Sequence, residues 1–180
     1  MPEVQSDPAL HSFDPKHPFT YVQPLEGESI ASFLYRFRRA KGNRISTAGA
    51  LGKIIEVGTA IKRWEDLLFG GRKPKQTQVE AISRVTGVSV DRLWQMFPPL
   101  GERSQPNTIR ICAACCLEEP YHRIAWQLYS TAGCERHRLR LLPRCLACEN
   151  PFSVIGLLEV PACKRCGMPF KTMKKRQKGY

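Results

Sequence analysis

Apolar positions return at helical spacing in the first half of the chain and fall into short bursts between cysteines in the second. From Glu28 to Lys41, Ile30, Phe33, Leu34 and Phe37 recur at three- and four-residue steps, while Arg36, Arg38, Arg39 and Lys41 occupy the opposite side and the last turn. This predicts an amphipathic helix closed at Gly42. A second helix is predicted from Ser46 or Thr47 over Leu51, Ile54 and Ile55. A third, capped by Thr59, presents Ile61, Trp64, Leu67 and Leu68 before Gly70-Gly71 and a basic loop, GGRKPKQ. Between 77 and 97 two short helices are predicted: Thr77 caps one with Val79, Ile82 and Val85 inward, and Gly87 makes the turn. Ser89 caps the next, with Leu93, Trp94 and Phe97 inward. The pattern is that of a helix-turn-helix. Its second helix offers mainly Asp91, Arg92 and Gln95 to an outside partner, a poor set for reading bases, which favours packing or docking.

The flanks carry no such period. Residues 1–17 are polar and punctuated by proline, and predict a flexible arm in which His11 and His17 are solvated. Pro18 to Pro24 is extended, so Phe19 and Tyr21 either pack on the helices or meet a partner. Together with Arg36 and Arg39 they are the candidate partner contacts. Residues 101–108 are rich in proline, glycine and polar side chains and mark a linker. The expected organisation is therefore an arm and extended segment (1–24), a mainly α helix-turn-helix domain (25–100), the linker, a small α+β region with two zinc fingers (109–170) and a basic tail (171–180).

All eight cysteines of the chain lie between 112 and 166. They read Cys112-x-x-Cys115, Cys134-x-x-His137, Cys145-x-x-Cys148 and Cys163-x-x-Cys166, four ligand pairs for two four-coordinate sites. Each x-x step lets two donors of one turn face the same ion. Spacing leaves sequential and crosswise closure open, and sequential closure needs the shorter loops. Zinc suits such donors, and four protein ligands leave no position for water or substrate. Cys116 has no x-x partner and reads as a small buried hydrophobe. His122 also lacks one and is left out of the ligand set. Disulfides are disfavoured, because no apolar leader precedes the chain to send it to an oxidising compartment.

Charge changes the picture of what the protein meets. The 28 Lys and Arg against 16 Asp and Glu give a formal net charge of +12, and most of the excess lies after residue 100. With no apolar run long enough to span a membrane, this predicts a cytoplasmic protein with an acidic partner such as nucleic acid. Arg136, Arg138, Arg140 and Arg144 alternate with leucines, so a strand would bury the leucines and present the arginines to phosphates or simply to water. Lys171, Lys174, Lys175 and Arg176 belong to a tail that is either a disordered solubiliser or a contact that orders on RNA or DNA. Trp126 is expected in the core. No Walker A sequence, Gly-x-Ser-x-Gly or His-Glu-x-x-His occurs, so neither an enzyme nor a small-molecule substrate is expected.

The helix IASFLYRFRRA, the stretch IRICAACCLEEPYHRIAWQ, then GCERHRLRLLPRCLAC and the closing CKRCGMPF resemble the TniQ/TnsD family of transposon target-selection proteins, over about residues 20–170. They look most like the short TniQ proteins of single-effector, type V-K CRISPR-associated transposons. The resemblance implies an N-terminal helix-turn-helix domain, two C-terminal zinc fingers and ligand positions on the eight residues named above. It also implies a bridging role. Such a protein joins a CRISPR effector with its guide RNA, and nearby target DNA, to an AAA+ ATPase filament that recruits transposase. The competing expectation is a sequence-specific DNA-binding regulator.

Overall fold

A computed structural model describes residues 18–66, 73–105 and 108–180. The arm 1–17 with His11 and His17, the positions Leu67 to Arg72, and Pro106-Asn107 of the linker lie outside the described residues.

The helical half begins with α1 (Ile30–Arg39), where Ser29 Oγ accepts the Ser32 N–H and satisfies one of the first-turn donors. Ile30, Phe33, Leu34 and Phe37 are fully buried, as the spacing predicts, and three arginines of the last turn sit where the helix dipole favours cations. Thr47 caps α2 (Ala48–Ile54) through the Ala50 N–H. Thr59 precedes α3 (Ala60–Glu65), though its hydroxyl makes no capping bond. Then follow α4 (Gln76–Thr86) and α5 (Val90–Trp94), joined through Gly87 at φ 72°, a left-handed turn that glycine adopts without Cβ strain. One expectation is corrected: α4 is capped at Lys75, with the Gln78 side chain accepting the Lys75 N–H, and Thr77 already lies inside the helix. α5 has only five residues, with Leu93, Met96 and Phe97 buried at and beyond its end.

A buried ion pair ties this half together. Arg38 donates to Glu65 at 2.7 and 3.0 Å and to the Ser46 carbonyl at 2.9 Å, linking α1, α3 and the entry to α2. Burial raises the pKa of the Glu65 carboxyl, and the Arg38 bonds oppose that rise.

The second half is built from α6 (Ala113–Glu118), a 3₁₀ turn at Ile124–Gln127, the antiparallel pair β1 (Gly133–Cys134) and β2 (Leu139–Arg140), α7 (Val154–Glu159) and α8 (Phe170–Arg176). The expected long alternating strand is a two-residue strand: Leu141 and Leu142 are both buried, and the backbone turns at Arg138 with φ 53°. Ile109 and Ile111 make single antiparallel bridges to Phe152 and Leu142. The tail is corrected more sharply. Residues 170–176 are helical, with Phe170 and Met173 fully buried against α6. Trp126 is buried, as expected of a core residue.

Buried apolar side chains of both halves form one contiguous cluster. The Ser29 N–H donates to the His122 carbonyl at 2.8 Å, the Ile124 N–H to the Gly27 carbonyl at 2.9 Å, and Tyr35 OH to Glu159 at 2.9 Å across from α1 to α7.

Candidate metal centres and the basic face

Four turns bring the donors together. Cys112 stands at the N-cap of α6, so Cys115 falls one turn further on the same side of that helix. Cys134 ends β1, and His137 lies in the turn before β2. Cys145 to Cys148 and Cys163 to Cys166 are matching tight turns: the Glu149 N–H donates to the Cys145 carbonyl at 3.0 Å and the Gly167 N–H to the Cys163 carbonyl at 2.8 Å. In three of the four turns the residue after the second donor is left-handed: Arg138 (φ 53°), Glu149 (φ 54°) and Gly167 (φ 72°). Arginine and glutamate hold that conformation only where the surroundings impose it.

Cys112, Cys115, Cys134 and His137 converge in one group and Cys145, Cys148, Cys163 and Cys166 in another, each with all ligand atoms within 4.8 Å of one another. This is sequential closure. Tetrahedral coordination with Zn–S near 2.3 Å and Zn–N near 2.0 Å sets S···S edges of about 3.8 Å and S···N edges of about 3.5 Å. Six of the twelve edges are 3.5–3.7 Å for sulfur pairs and 3.3–3.7 Å from sulfur to His137 Nδ1, and the others lie within 4.8 Å. These groups fit a four-coordinate ion and could each hold one. When bound, such an ion would cross-link the two turns of its site. A disulfide, by contrast, needs about 2.05 Å.

The thiols of the first group are not equivalent: the bond to Cys112 raises the pKa of Cys115, and burial raises that of Cys134. Hydrogen bonding to Cys115 lowers the pKa of Cys112 to about 5, against the opposing effect of burial. Cys116, which is buried, is pushed up to about 12 by desolvation and stays a protonated thiol outside the group. His122 is wholly buried with Nδ1 3.0 Å from Ser29 Oγ, and burial, with Arg110 nearby, lowers its pKa to about 3. It lies apart from both metal groups.

Three supporting residues escape sequence reasoning. Glu118 accepts from His137 Nε2 at 2.9 Å, which fixes Nδ1 as the atom facing the metal site and lowers the Glu118 pKa. Their spacing on one helix and one hairpin carries no local signal, although a carboxylate near a ligand histidine is a pairing worth seeking. Arg110, buried, donates to the carbonyls of Trp126, Leu128 and Thr131 and so shapes the loop leading to Cys134. Gln177 accepts the Ala113 N–H at 3.1 Å and donates to the Arg140 carbonyl at 2.6 Å, joining both turns of the first group.

The candidate nucleic-acid contacts are all exposed: Arg136, Arg138 and Arg140 around the hairpin, and Lys171, Lys174, Lys175 and Arg176 on α8. Arg136 is paired with Glu118 at 2.9 Å. The four candidate partner contacts have different surroundings. Phe19 packs edge-on against Phe37, with ring centroids 5.9 Å apart, and Tyr21 lies beside Gly87. Arg36 is held by Glu28 and the Gln23 carbonyl, and with exposed Arg39 it lines a shallow depression with Tyr35, Pro120 and Leu158.

Among the described residues no helix is long and apolar enough to cross a membrane. A search of curated proteins gives no match. The family model TniQ matches residues 19–141, a span that holds the whole helical half and the complete first metal group. The chain belongs to the TniQ family and is a transposition-associated protein.

Proposed function

We propose that this chain is a non-catalytic target-selection adaptor. It bridges an RNA-guided CRISPR effector, with its guide-RNA scaffold and target DNA, to an AAA+ ATPase filament, and thereby recruits transposase. The helical half docks on the ATPase; the zinc half, with its exposed cations, meets RNA and DNA in the cytoplasm. The observation that carries this reading is the way the donors are used. All eight sit in two closed groups of four, a donor set that would make two zinc ions structural braces with no open position for chemistry. TniQ membership supplies the transposition context.

The test is reconstitution of the assembled complex with cross-linking. Zinc-loaded protein should retain both the ATPase and the guide RNA, with cross-links from the helical half to the former and from α8 and the hairpin to the latter. Failure to retain the ATPase would overturn the bridge. If instead the chain alone footprints one duplex sequence with a large specificity ratio, the protein is a DNA-binding regulator.

A further inference from the structure

The last residues of the chain extend the hairpin. The Arg140 N–H donates to the Lys178 carbonyl at 2.8 Å and the Tyr180 N–H to the Arg138 carbonyl at 3.1 Å, with Leu139 opposite Gly179. This is antiparallel pairing, so residues 178–180 form a third strand beside β2. Register then sorts the side chains. Residues directly opposite one another, and those two apart on one strand, share a face. Leu139 and Gly179 are paired on the face that carries Cys134, where Leu139 packs against the core. Arg140, Lys178, Tyr180 and Gly133 share the other face, and Arg138, at the left-handed turn before β2, accepts the Tyr180 N–H at its carbonyl.

That outer face has a specific build. Gly133 is a seat: a Cβ there would run into the Tyr180 ring, so the ring rests on the glycine backbone across the sheet. Tyr180 is nevertheless 48 % exposed, so the side of the ring away from Gly133 meets solvent. Around it stand three exposed cations, and no carboxylate among the described residues pairs with Arg138, Arg140 or Lys178. The nearby Glu118 is already held by Arg136 and His137.

We propose that Tyr180, seated on Gly133 and flanked by Arg138, Arg140 and Lys178, is a stacking platform for an unpaired base of a single-stranded nucleic acid. An open aromatic ring gives affinity for any base, and fixed cations track the phosphates on either side. A duplex keeps its bases stacked inside and gains only the cations. The inference rests on the nucleic-acid part of the proposed function and narrows it to one strand and one ring.

Fluorescence anisotropy on the full zinc-loaded chain tests it, with a short labelled oligouridylate, the matching oligothymidylate and a duplex of equal length. Tyr180→Leu keeps an apolar cover on Gly133 but removes the π face. It should weaken both single strands about tenfold, leave the duplex unchanged and keep the salt slope, and Tyr180→Trp should restore binding. Arg138→Gln with Arg140→Gln should flatten the single-strand salt slope by about 1.4, roughly 0.7 per lost phosphate contact. If Tyr180→Leu retains its zinc and binds both single strands like the wild type, the platform is overturned, while a flattened slope in the arginine variant still upholds nucleic-acid binding. A wild-type chain that binds none of the probes overturns both. Should Tyr180→Leu fail to fold, photocross-linking of the wild type to a 5-iodouridine-substituted strand decides the point: adducts at Tyr180 support the platform, and adducts confined to other residues overturn it.

Discussion

Cys115 and Cys116 are neighbours of identical chemistry, and the structure gives them opposite roles. Cys115 Sγ lies 3.3 Å from His137 Nδ1 and 3.5 Å from Cys134 Sγ, whereas Cys116 is buried away from the group with its thiol protonated. Cys115→Ser removes one of four donors from the first site. Because a structural zinc site contributes about 10–16 kcal/mol of apparent binding free energy, the loss of a thiolate should empty that site at ordinary metal concentrations and unfold its two turns. Bound zinc should fall from two equivalents to one. Cys116→Ala removes one buried sulfur, costs about 1–2 kcal/mol from lost burial and the small void, and should leave both equivalents in place. Elemental analysis after gel filtration, paired with thermal melts in excess zinc, measures both effects. Two equivalents in Cys115→Ser, or one in Cys116→Ala, would refute the assignment of donors.

Three further outcomes follow from the same geometry. Glu118→Gln should lower zinc affinity at the first site by about 10–100-fold in a chelator competition and leave the second site alone, since only the orientation of His137 is disturbed. Arg110→Met should cost about 3–5 kcal/mol in urea unfolding at saturating zinc, because three carbonyls lose a charged donor; a cost below about 1 kcal/mol would mean that water replaces it. His122 is buried neutral with its pKa depressed, so the unfolded state binds the extra proton. Stability from this site is full above the unfolded value near 6.5 and declines as pH falls toward about 3. In His122→Asn the decline should be shallower by up to about 1.4 kcal/mol per pH unit, measured as the wild-type minus variant difference at fixed free zinc; parallel curves would place the imidazole in water.

What could be read from the chain was what local spacing controls. The α1 stripe, the Thr47 and Ser89 caps, the Gly87 turn and the grouping of eight donors all depend on residues a few positions apart. A tail that begins at residue 171 hides the ordered C-terminal helix, because it separates Met173 from Phe170. Counted together, Phe170, Met173 and Gln177 step by three and four along one buried face. The roles of Arg110 and Glu118 were hidden for another reason: their partners lie 16 to 21 residues away for the former and 19 for the latter, and no periodicity records such pairings. Arg136, Arg138 and Arg140 look equivalent in sequence, yet the hairpin gives Arg136 to Glu118, and among the described residues no carboxylate pairs with the other two.

The two metal groups brace different parts of the molecule. The first is closed from outside by the C-terminal segment: Gln177 bonds to the turn that begins α6, and the strand 178–180 bonds to the hairpin, so both turns of the site share one clamp made by the chain itself. The second holds α7 in the loop between its two turns, and α7 packs on α1, where Tyr35 meets Glu159. Lys164, one residue after Cys163, pairs with the same carboxylate at 2.8 Å. An ion in the second group would therefore fix α7 against the helical half, and an ion in the first would fix the cationic hairpin against α8. The adaptor proposed above would need both: one joint that sets the halves relative to each other, and one that keeps its outer face rigid enough to be recognised.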